Sequence, residues 1–413
     1  MIQKIVSPLG IEAWLVEDYA VPLVAVDFAF KGGAAQDPAD RAGLAHMMSA
    51  LFDEGAGPYD DEAFQRTLEE NAVEISFQAA RDQINGSLRT LADRKNFAFD
   101  LLHHAITEPR FEEGAVERIR QSLQAGLRRE ASDPNAMVSL ALFAGLFPDH
   151  PYGRSPRGTL ESIGAITRDD VAAQHRRLMA KDGLTVSIVG AIDAHDAEEM
   201  LDKVFGSLPT SALLQIVPEA DLASLGERRI IELEVPQTVL QFATPGVKRD
   251  DPDYMAAFVL NHIYGGGSFS SRLFQKVREE KGLAYSVSTQ VGALAHAAFI
   301  GGGVATRNDR AAESLAIIEA EMAEIARNGP TQAELESAKK YITGSYALRF
   351  DASTKIANQL TMIQTEQLGI DFIDRRNDLV DAVTLDDTRR VAQRLFGGGR
   401  PFVAAVGKPE GLA

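Results

Sequence analysis

The sequence predicts an α+β fold made of two homologous halves. Each half reads as a mixed, mostly antiparallel sheet with helices packed on one face. Three observations carry this. Strands recur as pairs and do not alternate singly with helices, which argues against a doubly wound parallel sheet. A helix-then-strand unit occurs twice: ITRDDVAAQHRRLMAKDGLTVSIVG (166–190) aligns without a gap on VTLDDTRRVAQRLFGGGRPFVAAVG (383–407), with eight of 25 positions identical. Between the copies, residues 205–228 hold Pro209 and Pro218 and no sustained periodicity, as a linker does. The expected division is therefore residues 1–205, a linker at 206–228 and residues 229–413, arranged as a clamshell around a cleft.

In chain order, residues 11–35 read as a strand pair, with Val24, Val26, Phe28 and Phe30 on one face. Helices are expected over 40–53 and 60–71, strands over 73–81 and 85–90, and helices over 96–107 and 112–132. An irregular passage carrying His150-Pro151-Tyr152-Gly153 follows, and then the first copy of the repeat. His150 reads as a structural turn residue or a cleft-wall residue. His103 and His104 are helical neighbours, about 100° apart, and so make a poor metal pair.

Composition narrows the function classes. A chain of 413 residues is long enough for two or three full cores, and 45% hydrophobic with 24% charged is ordinary globular usage. A net charge of −17 disfavours nucleic-acid binding and adhesion to anionic membranes, and favours cationic peptides. The absence of cysteine excludes thiol nucleophiles, thiolate zinc sites and disulfides. No uncharged apolar run reaches the roughly 20 residues that span a bilayer, so no membrane span is expected. No signal sequence follows Met1. The triple glycines at 265–267 and 301–303 lack phosphate-loop context, and no G-x-S-x-G elbow is present.

The most informative stretch is GGGSFSSRLFQKVREEKGLAYSV (265–287). It reads as a glycine-rich turn, a helix that Ser270 or Ser271 can cap, a stop at Gly282 and a strand from Tyr285. The tight turn lets Arg278 and Tyr285 point at one spot, as two donors for an oxygen that gains charge during a reaction. A solvated arginine paired with neighbouring glutamates beside a half-buried tyrosine is the plainer alternative.

Taken with HPYGRSPRGTLESI (150–163) and FKGGAAQDPADRAGLAHMMSALFDEGA (30–56), this stretch makes the whole chain resemble the pitrilysin or insulinase-like metallopeptidases, above all short bacterial members similar to the mitochondrial processing peptidase subunits. The resemblance implies an H-x-x-E-H zinc motif on a helix of the first half, with a third, glutamate ligand on a later helix. Here the matching run begins at His46, but Ser49 stands at the position of the base and Ala50 at that of the second histidine. Residues 118–129 contain no acid, and Gly126 or Leu127 stands where the third ligand is expected. One histidine does not make a zinc site, and the plainer reading of His46-Met47-Met48 is helix packing. No cofactor is therefore expected in this chain.

The second half keeps its part. Arg278 and Tyr285, with six residues between them, match the family's cleft-facing arginine and tyrosine. The resemblance thus implies a non-zinc subunit of a heteromeric zinc endopeptidase. A homologous partner would supply zinc and base, and this chain would supply Arg278, Tyr285 and cleft wall for peptide substrates. Such a chain would be inactive alone and could pair with itself in the partner's absence. Two alternatives stand beside this: a non-catalytic scaffold or peptide-binding protein of the same fold, and a lone peptidase with a displaced metal site. Bacterial paired members are often exported, which implies a periplasmic location with the leader absent from this sequence; otherwise the chain reads as cytoplasmic.

Overall fold

The computed structural model describes residues 1–412. Eleven strands are described: β1 (Gln3–Val6), β2 (Glu12–Glu17), β3 (Leu23–Lys31), β4 (Glu74–Ala79), β5 (Gln83–Leu91), β6 (Leu184–Gly190), β7 (Arg228–Glu232), β8 (Gln237–Pro245), β9 (Ala284–Ala293), β10 (Ala298–Arg307) and β11 (Phe402–Gly407). The α-helices of the N-terminal part are α1 (Leu44–Ser49), α2 (Asp61–Glu70), α3 (Lys95–Thr107), α4 (Glu113–Glu130), α5 (Pro134–Leu146), α6 (Leu160–Ala165), α7 (Arg168–Leu178) and α8 (Ala194–Phe205). Those of the C-terminal part are α9 (Tyr254–Asn261), α10 (Ala311–Asn328), α11 (Gln332–Gly344), α12 (Ser353–Thr365), α13 (Phe372–Asp381) and α14 (Leu385–Phe396).

The two sheets share one topology. In the first the order is β1-β2-β6-β3-β5-β4, and in the second β7-β11-β8-β10-β9. β2 runs parallel to β6 as β7 does to β11, and every remaining neighbouring pair is antiparallel. The repeat in the sequence supplies equivalent pieces, α7–β6 and α14–β11. Both helices open on a capping box, Thr167 with Asp170 and Thr384 with Asp387, which satisfies the first free N–H groups of the helix. The same local chemistry at both places sets the same helix start, and the same strand then enters the centre of each sheet.

The compact units cut across the two sequence halves. The first unit comprises Met1–Arg128, Ser155–Val217 and Ala347–Phe372; the second comprises Arg129–Arg154, Pro218–Tyr346 and Ile373–Ala413. Two helices are thereby exchanged. α5, from the N-terminal part, packs on β8 and β11; α12, from the C-terminal part, packs on β3 and β6. Neither helix is expected from the sequence. α5 (PNAMVSLALFAGL) is apolar nearly all round, Asn135 and Ser139 apart, and so shows no helical stripe. α12 turns polar groups toward the sheet: Thr361 Oγ1 donates to Asp27 O at 3.1 Å and bonds Ser187 Oγ at 3.0 Å, and Gln364 Nε2 donates to Ser187 Oγ at 2.7 Å.

Each unit has its own core. In the first, Val26, Phe28 and Phe30 of β3 join Phe52, Phe64, Phe99 and Phe205. The opposite face of β3, carrying Ala25 and Asp27, lies under α12. In the second, Leu240 and Phe242 of β8 meet Leu260, Ile318, Val391 and Leu395. Gly206 to Glu227 contains no helix or strand. No helix among the described residues is long and apolar enough to cross a membrane.

Candidate functional site

The stretch carrying Arg278 is less regular than a simple helix. After a short 3-10 turn at Ser268–Ser270, residues Phe274–Glu280 widen into a π-helix. π-turns carry a cost in hydrogen-bond geometry and recur at functional sites. Leu273 and Val277 are fully buried and anchor the segment. Gly282 adopts φ +62°, the left-handed conformation that lets the chain reverse, and Leu283 N donates back to Val277 O at 2.9 Å. β9 then starts beside the helix end.

This turn does bring Arg278 and Tyr285 together. Arg278 Nη1 donates to the main-chain carbonyl of Tyr285 at 3.0 Å. Its guanidinium carbon lies 4.6 Å from the Tyr285 ring centroid and 4.8 Å from that of Phe274. Phe269 flanks it at 5.8 Å. The fork is thus held by rings and one carbonyl, with Glu279 Oε1 3.5 Å from Nε. The Nη2 donors remain for an incoming acceptor. Tyr285 is 82% exposed and Phe269 69%. Beyond Tyr285, the polar side chains of Ser286, Ser288 and Gln290 line a groove of about 390 Å³ with Asn135 and Ser139 of α5.

The segment is tied from behind. Arg272 makes a two-point pair with Glu334, at 2.6 and 2.8 Å. Thr331, the N-cap of α11, donates to the same carboxylate from its backbone and hydroxyl at 2.7 and 2.8 Å. Burial alone would raise the Glu334 pKa, but the Arg272 and Thr331 hydrogen bonds overcome it and hold the carboxyl at about 2. A depressed acid contributes its full stabilisation above the ordinary glutamate value and loses it as pH falls through the folded value. The second unit should therefore lose about 1–2 kcal/mol between pH 4.5 and 2, after allowance for solvent screening. Acid titration of its unfolding should show this slope in the native chain and not in Glu334→Gln.

The first unit's motif has no such completion. The helix expected over 40–53 shortens to α1, Leu44–Ser49. Buried Asp37 caps it from outside, accepting from Gly43 N and Ala45 N, both at 2.9 Å. His46 sits on α1, and the Ser49 hydroxyl, where a base would stand, turns back onto His46 O at 2.9 Å. Ala50 closes the helix. Glu54, an acid soon after the helix, is ion-paired to Arg118 of α4, which also holds Asp61 at 2.8 Å. The helix that would carry a third ligand thus presents an arginine, and His46 belongs to no three-ligand group among the described residues.

The sequence sets His103 and His104 aside as a poor metal pair and does not join Glu108 to them. His103, His104 and Glu108 gather at the end of α3, with candidate ligand atoms within 4.8 Å of one another, although the two histidines are helical neighbours. His104 Nδ1 meets Glu108 Oε2 at 2.8 Å, and His103 Nδ1 lies 3.3 Å from Val204 O. The capping residue Glu108 is the signal that could have revealed it. His150 proves to be a turn-former: its Nδ1 accepts from Tyr152 N at 3.1 Å and its Nε2 lies 3.0 Å from Pro218 O.

Residues 15–160 match the family described as Insulinase (Peptidase family M16), and residues 165–342 match the Peptidase M16 inactive domain. The chain belongs to peptidase family M16. This M16 chain is 26% identical over 334 residues to the "Non-peptidase homolog YmxG" of Helicobacter pylori, covering 81% of this chain and 77% of the relative. It is 25% identical over 384 residues to the mitochondrial-processing peptidase subunit beta of Lentinula edodes, covering 90% and 82%. The crystal structure of a peptidase M16 inactive domain from Pseudomonas fluorescens superposes with TM-score 0.92 at 26% identity, covering 99% of this chain and 98% of that one. Both halves therefore match M16 models, the second the one described as the inactive domain, and the zinc-motif positions of the first read His46, Ser49 and Ala50.

Proposed function

We propose that this chain is the non-zinc subunit of a heteromeric zinc metalloendopeptidase. The observation that carries it is the second unit's site: Arg278, held between the rings of Phe274 and Tyr285 with Nη2 unspent. A first unit stripped of its zinc set has no use for such a group unless a metal comes from elsewhere. A homologous partner bearing H-x-x-E-H would supply zinc and base, and zinc would polarise the scissile carbonyl. Arg278 and Tyr285 would then hold the carbonyl oxygen or fix the peptide in register. The exposed edge strand β4 offers backbone groups for an extended peptide. The pair would act on peptides in the periplasm, and the chain alone would pair with a second copy of itself.

The test is to titrate this chain into an H-x-x-E-H relative from the same genome and follow cleavage of a quenched fluorescent peptide. Saturable acceleration of about tenfold or more is expected. Cleavage no faster than with the relative alone would sink the proposal and leave a peptide-binding or scaffold role.

A further inference from the structure

α12 crosses the second face of the first unit's sheet and leaves a pocket of about 640 Å³ between its first turns and strands β3, β5 and β4. The size is that of a small-ligand or side-chain site. Asp27 of β3 is in its wall, partly buried, on the face opposite the core residue Phe28. Its carboxylate accepts from neutral groups of α12, the Thr361 hydroxyl and Asn358 Nδ2, the latter at 3.3 Å. No described cation pairs with it. The other charges of the pocket are mostly neutralised locally: Arg89 pairs with Glu74, and Lys355 pairs with Asp351 at 2.8 Å. Arg349 stands exposed just ahead of α12. Asp27 is thus an acid drawn partly out of water with no counter-charge, and burial raises its pKa. Such a group is destabilised by its surroundings, and an incoming cation offsets that. A structural carboxylate at a helix–sheet joint normally finds its cation within the protein. This one faces an open pocket beside the edge strand, on a chain of net charge −17 that draws cationic peptides.

We propose that this pocket receives a basic side chain of a bound peptide, with Asp27 as its counter-charge and Asn358 holding the carboxylate in place. The inference rests on the peptide-binding reading above and gives it a substrate class: peptides with a lysine or arginine.

The experiment measures fluorescence anisotropy of the full chain with two labelled, N-acetylated peptides that differ only in one lysine or norleucine. The native chain should prefer the lysine peptide about ten- to a hundredfold. Asp27→Asn keeps the shape and should bind the norleucine peptide as the native chain does, with the preference gone. Equal affinity of the native chain for both peptides overturns the pocket assignment while leaving peptide binding standing. So does a preference that survives in Asp27→Asn. Should Asp27→Asn lose both peptides, Asp27→Ser is measured too; loss of both again makes Asp27 structural and overturns the proposal. Failure of the native chain to bind either peptide overturns the peptide-binding reading itself.

Discussion

Replacing Arg278 with alanine should lower peptide cleavage by the assembled pair about a hundredfold, the usual loss when one donor to a developing oxyanion is removed. The melting temperature should move by no more than a few degrees, because Arg278 contributes one carbonyl hydrogen bond and ring contacts near the surface. Arg278→Lys should not rescue the activity. A lysine ammonium is a point charge that cannot keep a flat fork against the rings of Tyr285 and Phe274 while donating sideways. Tyr285 separates two roles. Tyr285→Phe keeps the ring beside Arg278, so any loss reports the hydroxyl; Tyr285→Ala removes the ring as well and should approach the Arg278→Ala value. Steady-state kinetics of the four variants checks this. Equal rates for native and Arg278→Ala would mean that the arginine only shapes the turn.

The largest stability loss should follow Phe28→Ala, at about 3–5 kcal/mol. Phe28 is fully buried and meets the edges of Phe30, Phe77 and Phe205 with centroids 6.0, 6.1 and 5.5 Å away. Its cross-strand partner is Gly86. A Cβ there would lie 2.2 Å from Phe28 Cζ, so the glycine is the space the ring occupies. Gly86→Ala alone should therefore cost about 1–3 kcal/mol by overpacking. Phe28→Leu with Gly86→Ala should cost less than the sum of the two single changes, since each relieves the other. A chain of two compact units need not unfold in one step, so the denaturant transition of the first unit is the one to follow. Additive losses would show that the ring does not depend on the glycine.

These residues also indicate what the sequence made legible. Alternation alone placed Val24, Val26, Phe28 and Phe30 on one face, because a strand with a core on one side must alternate. The repeat was visible because Thr-x-x-Asp capping boxes and the strands behind them are local features. The meeting of Arg278 with Tyr285 was legible for a similar reason: only Gly282 and a few neighbours are needed to reverse the chain there. The π-helical widening was not, since it depends on how Leu273 and Val277 seat in the core. α12 escaped notice because its inward face mixes Ala357, Leu360 and Ile363 with Thr361 and Gln364, which bond to Ser187 and to the backbone of β3, so its apolar stripe is short and interrupted. The fate of Glu54 was equally hidden. Arg118 lies 64 positions away, and only the fold brings the two together.

The exchange of α5 and α12 has a consequence for how the molecule comes into being. During synthesis, the first sheet's strands β1 to β6 are all available once Gly190 has emerged. The hydroxyls and amide that Ser187 and the β3 carbonyls need arrive only with Thr361 and Gln364, about 170 residues later. α5, by contrast, is made early and must wait for β8 and β11. A ribosome therefore releases an unfinished N-terminal body whose polar seam stays wet until the chain is nearly complete. Maturation of both bodies is tied to the last tenth or so of translation, and a chain truncated before α12 leaves even its first-made sheet unclosed.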